Sequence, residues 1–248
     1  MNDSPRQDGP RRALVTGASG AIGAAIAQRL ARQGLHVIAH AHQNGDAVAA
    51  TVAAITAAGG SAQAVCFDVT DAQASAQALQ AIVDAGPVQV IVNNAGIHDD
   101  VVMPGMSHER WRKVIDVSLH GFFNVTQPLL LPMIRTRWGR IISISSIAAS
   151  FGNRGQTNYA AAKAGVQGAS RSLALEVASR GITVNVVAPG IIESAMSRDA
   201  FSPQLIAQQV PMQRAGQPAE VAALVAFLAG DEAAYITGQV IAINGGIV

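Results

Sequence analysis

The chain has one cysteine, Cys66, in 248 residues. An intramolecular disulfide and a cysteine-built zinc site are excluded, and no carboxylate or cysteine set stands near the histidines to make another metal site. Cys66 is expected to be a small buried residue, and cysteine scarcity fits a reducing, cytoplasmic setting. Charge is also scarce: 13% of residues, with a net charge of +1. That balance makes no electrostatic case for a nucleic-acid or membrane-surface partner. The longest apolar runs, such as residues 221–229, fall far short of the ~20 residues of a membrane span. Residues 1–12 (MNDSPRQDGPRR) are polar and are neither a signal peptide nor an anchor. They read as a flexible leader. Aromatics are only 4%, whereas half the residues are hydrophobic and 24 are glycine, so the core is aliphatic and the turns are tight.

Apolar runs and helical stretches alternate after residue 12. Strands are expected over 12–16, 35–39, 64–67, 88–92, 141–144, 183–187 and 239–243. Helices are expected over 24–33, 45–58, 71–85, from about 107 past 123, from 159 onward, near 203–209, and over 219–229. Pro128 and Pro132 should perturb the end of the long helix. Residues 191–217 otherwise look loop-like. Alternation of this kind predicts an α/β fold: a doubly wound parallel sheet in one domain over 13–248, three layers thick. Such sheets bind ligands beyond the carboxyl ends of their strands. Gly17–Gly23, Asn93–Gly96, Ser146 and Pro189-Gly190 all fall there.

One stretch has chemistry of its own. A buried strand ends at Ser145-Ser146, and a loop leads to Tyr159-Ala-Ala-Ala-Lys163 on a helix. Residues four apart share a helix face, so the Tyr159 phenol and Lys163 ammonium are expected in one pocket. A nearby cation lowers a phenol pKa, which would make Tyr159 a usable acid or base. Ser146 is placed to meet the same substrate oxygen. Tyr-x-x-x-Lys alone arises often by chance. The glycine turn Gly17-Ala18-Ser19-Gly20-Ala21-Ile22-Gly23, in the first strand–helix unit, adds a dinucleotide-binding signal: a helix N-terminus suits a diphosphate and glycine lets it come close.

Taken together, Thr16-Gly17, Asn93-Asn94-Ala95-Gly96, Ser146, Tyr159-x-x-x-Lys163 and Pro189-Gly190 resemble the short-chain dehydrogenase/reductase family over nearly the whole chain after residue 12. Residues 155–165, 176–190 and 236–246 are most similar to its 3-oxoacyl-[acyl-carrier-protein] reductases. The resemblance implies a Rossmann fold, with Tyr159 as proton donor, Lys163 lowering its pKa and binding the nicotinamide ribose, and Ser146 holding the substrate carbonyl. It implies a cofactor lined by Gly17, Ser19, Gly20, Ala21, Ile22, Gly23, Asn94, Ala95, Gly96, Pro189 and Gly190. Asp68 and Val69 would meet the adenine, and Ile192, with Ser194 nearby, the carboxamide.

Three positions depart from the family pattern. Ala21 replaces the middle glycine of the turn, and Gly20 stands where related reductases often carry a phosphate-binding arginine. Ser118 occupies the position at which the long helix usually gives an asparagine to the proton relay. The second strand ends Ala39-His40-Ala41-His42-Gln43, without a carboxylate, which favours NADP(H) over NAD(H); NAD(H) is the alternative, and His42 would face the 2′-phosphate. His36, His40 and His42 otherwise read as solvent- or core-facing imidazoles. Arg137 and Arg180 close helices just before strands, where a cation complements the helix dipole. By resemblance they would instead dock an acidic acyl carrier protein, its substrate entering beside Tyr159. The resemblance also implies a homotetramer paired through the helix before the central strand, the Tyr159 helix with its small residues 160–168, and the last strand. The implied reaction is reduction of a 3-oxoacyl thioester in fatty-acid or related polyketide or polyene synthesis. Reduction of a coenzyme A thioester or a small ketone, and a non-catalytic dinucleotide sensor, are the alternatives.

Overall fold

The computed structural model describes residues 9–194 and 202–247. The leader expected over 1–12 therefore lies, for residues 1–8, outside the described residues, as does part of the loop expected over 191–217. Among the described residues seven strands form one sheet: β1 (Arg12–Val15), β2 (His36–Ala41), β3 (Ser61–Cys66), β4 (Val90–Asn93), β5 (Gly139–Ile144), β6 (Ile182–Pro189) and β7 (Val240–Ile243). Their order is β3-β2-β1-β4-β5-β6-β7 and every neighbouring pair is parallel. The order reverses between β1 and β4, which opens a crevice at the carboxyl ends of those two strands.

Burial explains the near-continuous apolar runs. β4, β5 and β6 are buried at every residue, as strands covered on both faces must be. Side chains alternate between two cores. Val15, Val37, Val92 and Ile142 face one, with Ile26 and Leu30 of α1 (Ala21–Arg32) and Val221 and Val225 of α9 (Pro218–Ala229). Leu14, Ile38, Ile91 and Ile141 face the other, with Leu129 and Met133 of α5 (Gly121–Thr136) and Val177 of α7 (Thr157–Val177). The other described helices are α2 (Gly45–Ala57), α3 (Ala72–Asp84), α4 (His108–Ile115), the short α6 (Ala148–Phe151) and α8 (Pro203–Gln209).

Several expectations need correction. α1 begins at Ala21, not 24, and β3 at Ser61, not 64. α5 runs through Pro128 and Pro132 to Thr136; the two prolines are four residues apart, so their lost N–H groups fall on one face. Cys66 is exposed, because β3 is an edge strand whose residues are mostly exposed. Residues 148–151, only the last of which fell in the loop expected over 151–158, form α6.

The amino end of the sheet is fastened by charge. Arg11 and Arg140 both stack on Trp138, their guanidinium carbons 3.6 and 4.2 Å from the ring centroid. Asp231 pairs with both, at 3.3 and 3.6 Å, and accepts from Trp138 Nε1 at 2.9 Å. Among the described residues no helix is long and apolar enough to cross a membrane.

Candidate active site

The glycine turn joins β1 to α1 in a form only glycine permits at two points. Gly17 has φ +65°, in the left-handed region. A Cβ on Gly23 would lie 2.2 Å from the Gly17 carbonyl oxygen. α2, α3 and α4 begin with a side chain capping a backbone N–H; α1 has Gly20 at that place and no side-chain cap. Nor does its first turn hold an acid. The opening N–H groups of α1 are thus presented to an anion. Ala21 takes the first helical position with its methyl exposed, so the missing glycine does not disturb the helix start.

From this turn a cleft of about 840 Å³ runs across the sheet edge. It is lined by Gly17, Ser19, Gly20, Ala21, Ile22, Gly23, Asn94, Ala95, Gly96, Ser146, Tyr159, Lys163, Pro189, Gly190, Ile192 and Ser194. Its far end meets Ile147, Phe151, Gln156, His98 and Asp100. A long, glycine-walled groove ending at an uncapped helix fits a dinucleotide.

The Tyr159 phenol and the Ser146 hydroxyl are hydrogen-bonded to each other. Burial pushes the Tyr159 phenol above its usual range, a Ser146 hydrogen bond opposes this, and the Asp100 charge adds to it. Lys163, expected to lower the phenol pKa, donates to the Ile144 carbonyl at 2.9 Å and lies 5.7 Å from the Tyr159 ring centroid; burial is the larger influence on the phenol. Burial also lowers Lys163 itself, to about 8. A Cβ on Gly96 would stand 3.0 Å from the Lys163 Nζ, so a glycine there gives the lysine its room.

Ser118 sits in a π-helical turn, Asp116–His120, between α4 and α5. Its side chain is buried, and its Oγ has no hydrogen-bond partner among the described residues. It faces a small internal cavity shared with Thr16, Asn93 and Lys163. Single π turns inside helices often mark functional sites.

The adenine-side residues divide. His42 Nε2 lies 3.4 Å from Asp68 Oδ2, while Thr70 donates to Asp68 Oδ1. Neither His42 nor Asp68 lines the cleft. Val69 is a core side chain whose carbonyl accepts from Asn124 at 2.8 Å. Ile192 is set by a parallel bridge in which Gly216 bonds to residues 191 and 193, which turns the N–H and C=O of Ile192 the other way.

Arg137 and Arg180 are neighbours, the first donating to the Ser179 carbonyl at 3.5 Å, but they do not border the cleft. They precede β5 and β6, whereas Ser146 follows β5. A six-residue strand, roughly 20 Å, separates the two edges. Within one chain, the arginine pair and Tyr159 thus lie at opposite edges of the sheet.

Some polar residues carry no signal in the sequence beyond their position beside Tyr159. Asn158 is fully buried and donates to the Asp99 and Arg110 carbonyls at 3.1 and 3.3 Å, fixing the helix turn that carries Tyr159. Gln156 donates to Asp100 at 2.7 Å.

Residues 11–205 match the family model described as short chain dehydrogenase. The chain is 46% identical over 238 residues to a 3-oxoacyl-[acyl-carrier-protein] reductase of Escherichia coli K12, covering 95% of this chain and 96% of that protein. Against the reductase of the same name from Staphylococcus aureus Mu50 the identity is 45%, covering 96% and 98%. For that from Aggregatibacter actinomycetemcomitans it is 43%, covering 94% and 98%. With a matching parallel sheet and a glycine turn in its first strand–helix unit, the chain belongs to the short chain dehydrogenase family.

Proposed function

We propose that the chain reduces the 3-keto group of an acyl-carrier-protein thioester with NADPH, yielding the 3-hydroxyacyl form. The observation that carries this is the convergence of Ser146, Tyr159 and Lys163 on one cleft that begins at an uncapped helix N-terminus. The names of the similar reductases favour the thioester over a simple ketone.

When bound, the reduced nicotinamide supplies a hydride to the ketone carbon. Tyr159 donates its phenolic proton to the ketone oxygen, and Ser146 donates a hydrogen bond to the same oxygen. A buried phenol with a raised pKa is held in its acid form, which reduction requires. Lys163 keeps one N–H on Ile144, and its other two would serve the ribose hydroxyls and the phenolate side of Tyr159. There a cation stabilises the charge left after proton transfer. Ser118, whose unpartnered Oγ faces the small cavity it shares with Lys163, would hold the relay water there.

The cofactor is a nicotinamide dinucleotide by family. NADPH is the preferred form in this reading, since β2 ends without a carboxylate; His42, just past that strand, would face the 2′-phosphate. Asp68 is engaged by His42 and Thr70. The protein acts as a homotetramer. Exposed Phe123, Leu131 and Leu175 on α5 and α7 support that reading. An acyl carrier protein docked at Arg137 and Arg180 would then serve the cleft of a neighbouring subunit.

The test is a panel of carrier-linked and coenzyme A-linked 3-oxoacyl thioesters and a free β-ketoester, each with NADPH and NADH. The expected result is highest kcat/KM with the carrier thioester and NADPH. Turnover of ketones but of no thioester would move the reading to a small-ketone reductase, and dinucleotide binding with no turnover to a sensor.

A further inference from the structure

Two consecutive peptides of the glycine turn are gripped by the same two residues. Asn94 Nδ2 donates to the Thr16 and Gly17 carbonyl oxygens at 2.9 and 3.1 Å. Residue 40, on β2, takes the opposite ends. The Ala18 N–H donates to the His40 carbonyl at 2.8 Å, and the Gly17 N–H donates to His40 Nδ1 at 3.4 Å. The other ring nitrogen, Nε2, lies 2.9 Å from the Phe67 carbonyl oxygen. A carbonyl only accepts, so Nε2 carries the hydrogen and Nδ1 offers its lone pair. The imidazole is 1% exposed and tilts against the Phe67 ring, with centroids 4.1 Å apart. Burial pushes its pKa down to about 4, with the neighbouring His42 charge opposing protonation and Asp68 favouring it. The ring is therefore neutral near pH 7. His40 does not line the cleft and has no part in the chemistry described above.

We propose that His40 is a positioning residue for the cofactor: its neutral Nδ1 fixes the peptide plane between Thr16 and Gly17. That plane sets the left-handed turn at Gly17 and hence the direction of the first N–H groups of α1. The inference rests on the dinucleotide reading of the cleft. It explains why a polar, titratable side chain occupies a buried strand position where valine or isoleucine would otherwise pack.

The two ring nitrogens can be separated by substitution. His40→Asn keeps an acceptor at the δ position and loses the donor to Phe67. His40→Gln keeps a donor at the ε position and loses the acceptor for Gly17. Both remove the ring from Phe67, so both should melt lower by similar amounts. NADPH dissociation constants are measured by calorimetry on the protein without substrate. The asparagine variant should stay within about twofold of wild type, and the glutamine variant should weaken roughly five- to tenfold, the loss expected for one hydrogen bond. At saturating cofactor, kcat and the substrate KM should hold in both. Nitrogen-15 spectra of the cofactor-free wild type should show His40 protonated at Nε2. Equal dissociation constants in the two variants, constants that follow melting temperature rather than the acceptor, or protonation at Nδ1 would overturn the proposal. A wild type that binds neither NADPH nor NADH would instead overturn the cofactor reading on which it stands.

Discussion

Lys163 Nζ donates to the main-chain carbonyl of Ile144, 2.9 Å away, at the last residue of β5. The ammonium is thus anchored to the sheet rather than to the phenol beside it, and it is buried. Its folded pKa of about 8 lies below the ordinary lysine value of 10.5. The charging penalty is fully present below pH 8, shrinks as pH rises, and vanishes above 10.5. Lys163→Met should therefore abolish turnover yet raise the stability of the cofactor-free protein at pH 7 by about 1–3 kcal/mol, the lost hydrogen bond offsetting part of the gain. Denaturant titrations from pH 7 to 10.5 should show that gain fading; a variant less stable at pH 7 would contradict this account.

Tyr159→Phe should lower kcat by about a thousandfold, within the range a positioned acid contributes, while leaving the NADPH dissociation constant near wild type. The other tyrosine, Tyr235, is fully exposed and outside the cleft, so nothing substitutes for the lost proton. Steady-state kinetics and calorimetry on the same preparation decide it.

The Asp100 charge raises the Tyr159 phenol. Asp100→Asn should make the phenolate easier to form, so the alkaline limb of kcat/KM for reduction should move to lower pH. A pH–rate profile reads this directly. An unmoved limb would mean that burial and the Ser146 hydrogen bond set the phenol without the Asp100 charge.

Much of this site is legible in the sequence, because its parts sit on strand ends and strand ends are marked by apolar runs stopping at polar or glycine residues. Ser146, Asn94 and Gly17 all stand at such stops. What is not legible depends on packing across the sheet. His40 looks like any strand histidine until Gly17 and Phe67 are placed around it. The start of α1 is hidden because glycines mask the first turn, and α6 is hidden because four residues show no period. Cys66 reads as an interior residue because the strand order, which puts β3 at an edge, is not written in β3 itself.

Charge reversal at Arg137 and Arg180 tests the carrier surface. Arg137→Glu with Arg180→Glu should raise KM for a carrier-linked substrate about tenfold at low salt, less at high salt, and leave a β-ketoester unchanged. Equal behaviour on both substrates would reduce the two arginines to helix-end cations.

Asp231→Ala should lower stability by about 2 kcal/mol, since it strands the buried Arg140 guanidinium without its carboxylate. Thermal melts read the loss, and kcat below the transition should not change.

The fastening of Arg11, Trp138, Arg140 and Asp231 and the reacting groups stand at opposite edges of one sheet. Substitutions at the two edges share no partner and lie a full strand apart, so their free energies should add. The lineage of such a chain is then free to rebuild the loops above Tyr159 for a new substrate while its folding reserve is tuned independently below. Destabilising changes accepted at one edge can be compensated at the other without retuning the chemistry.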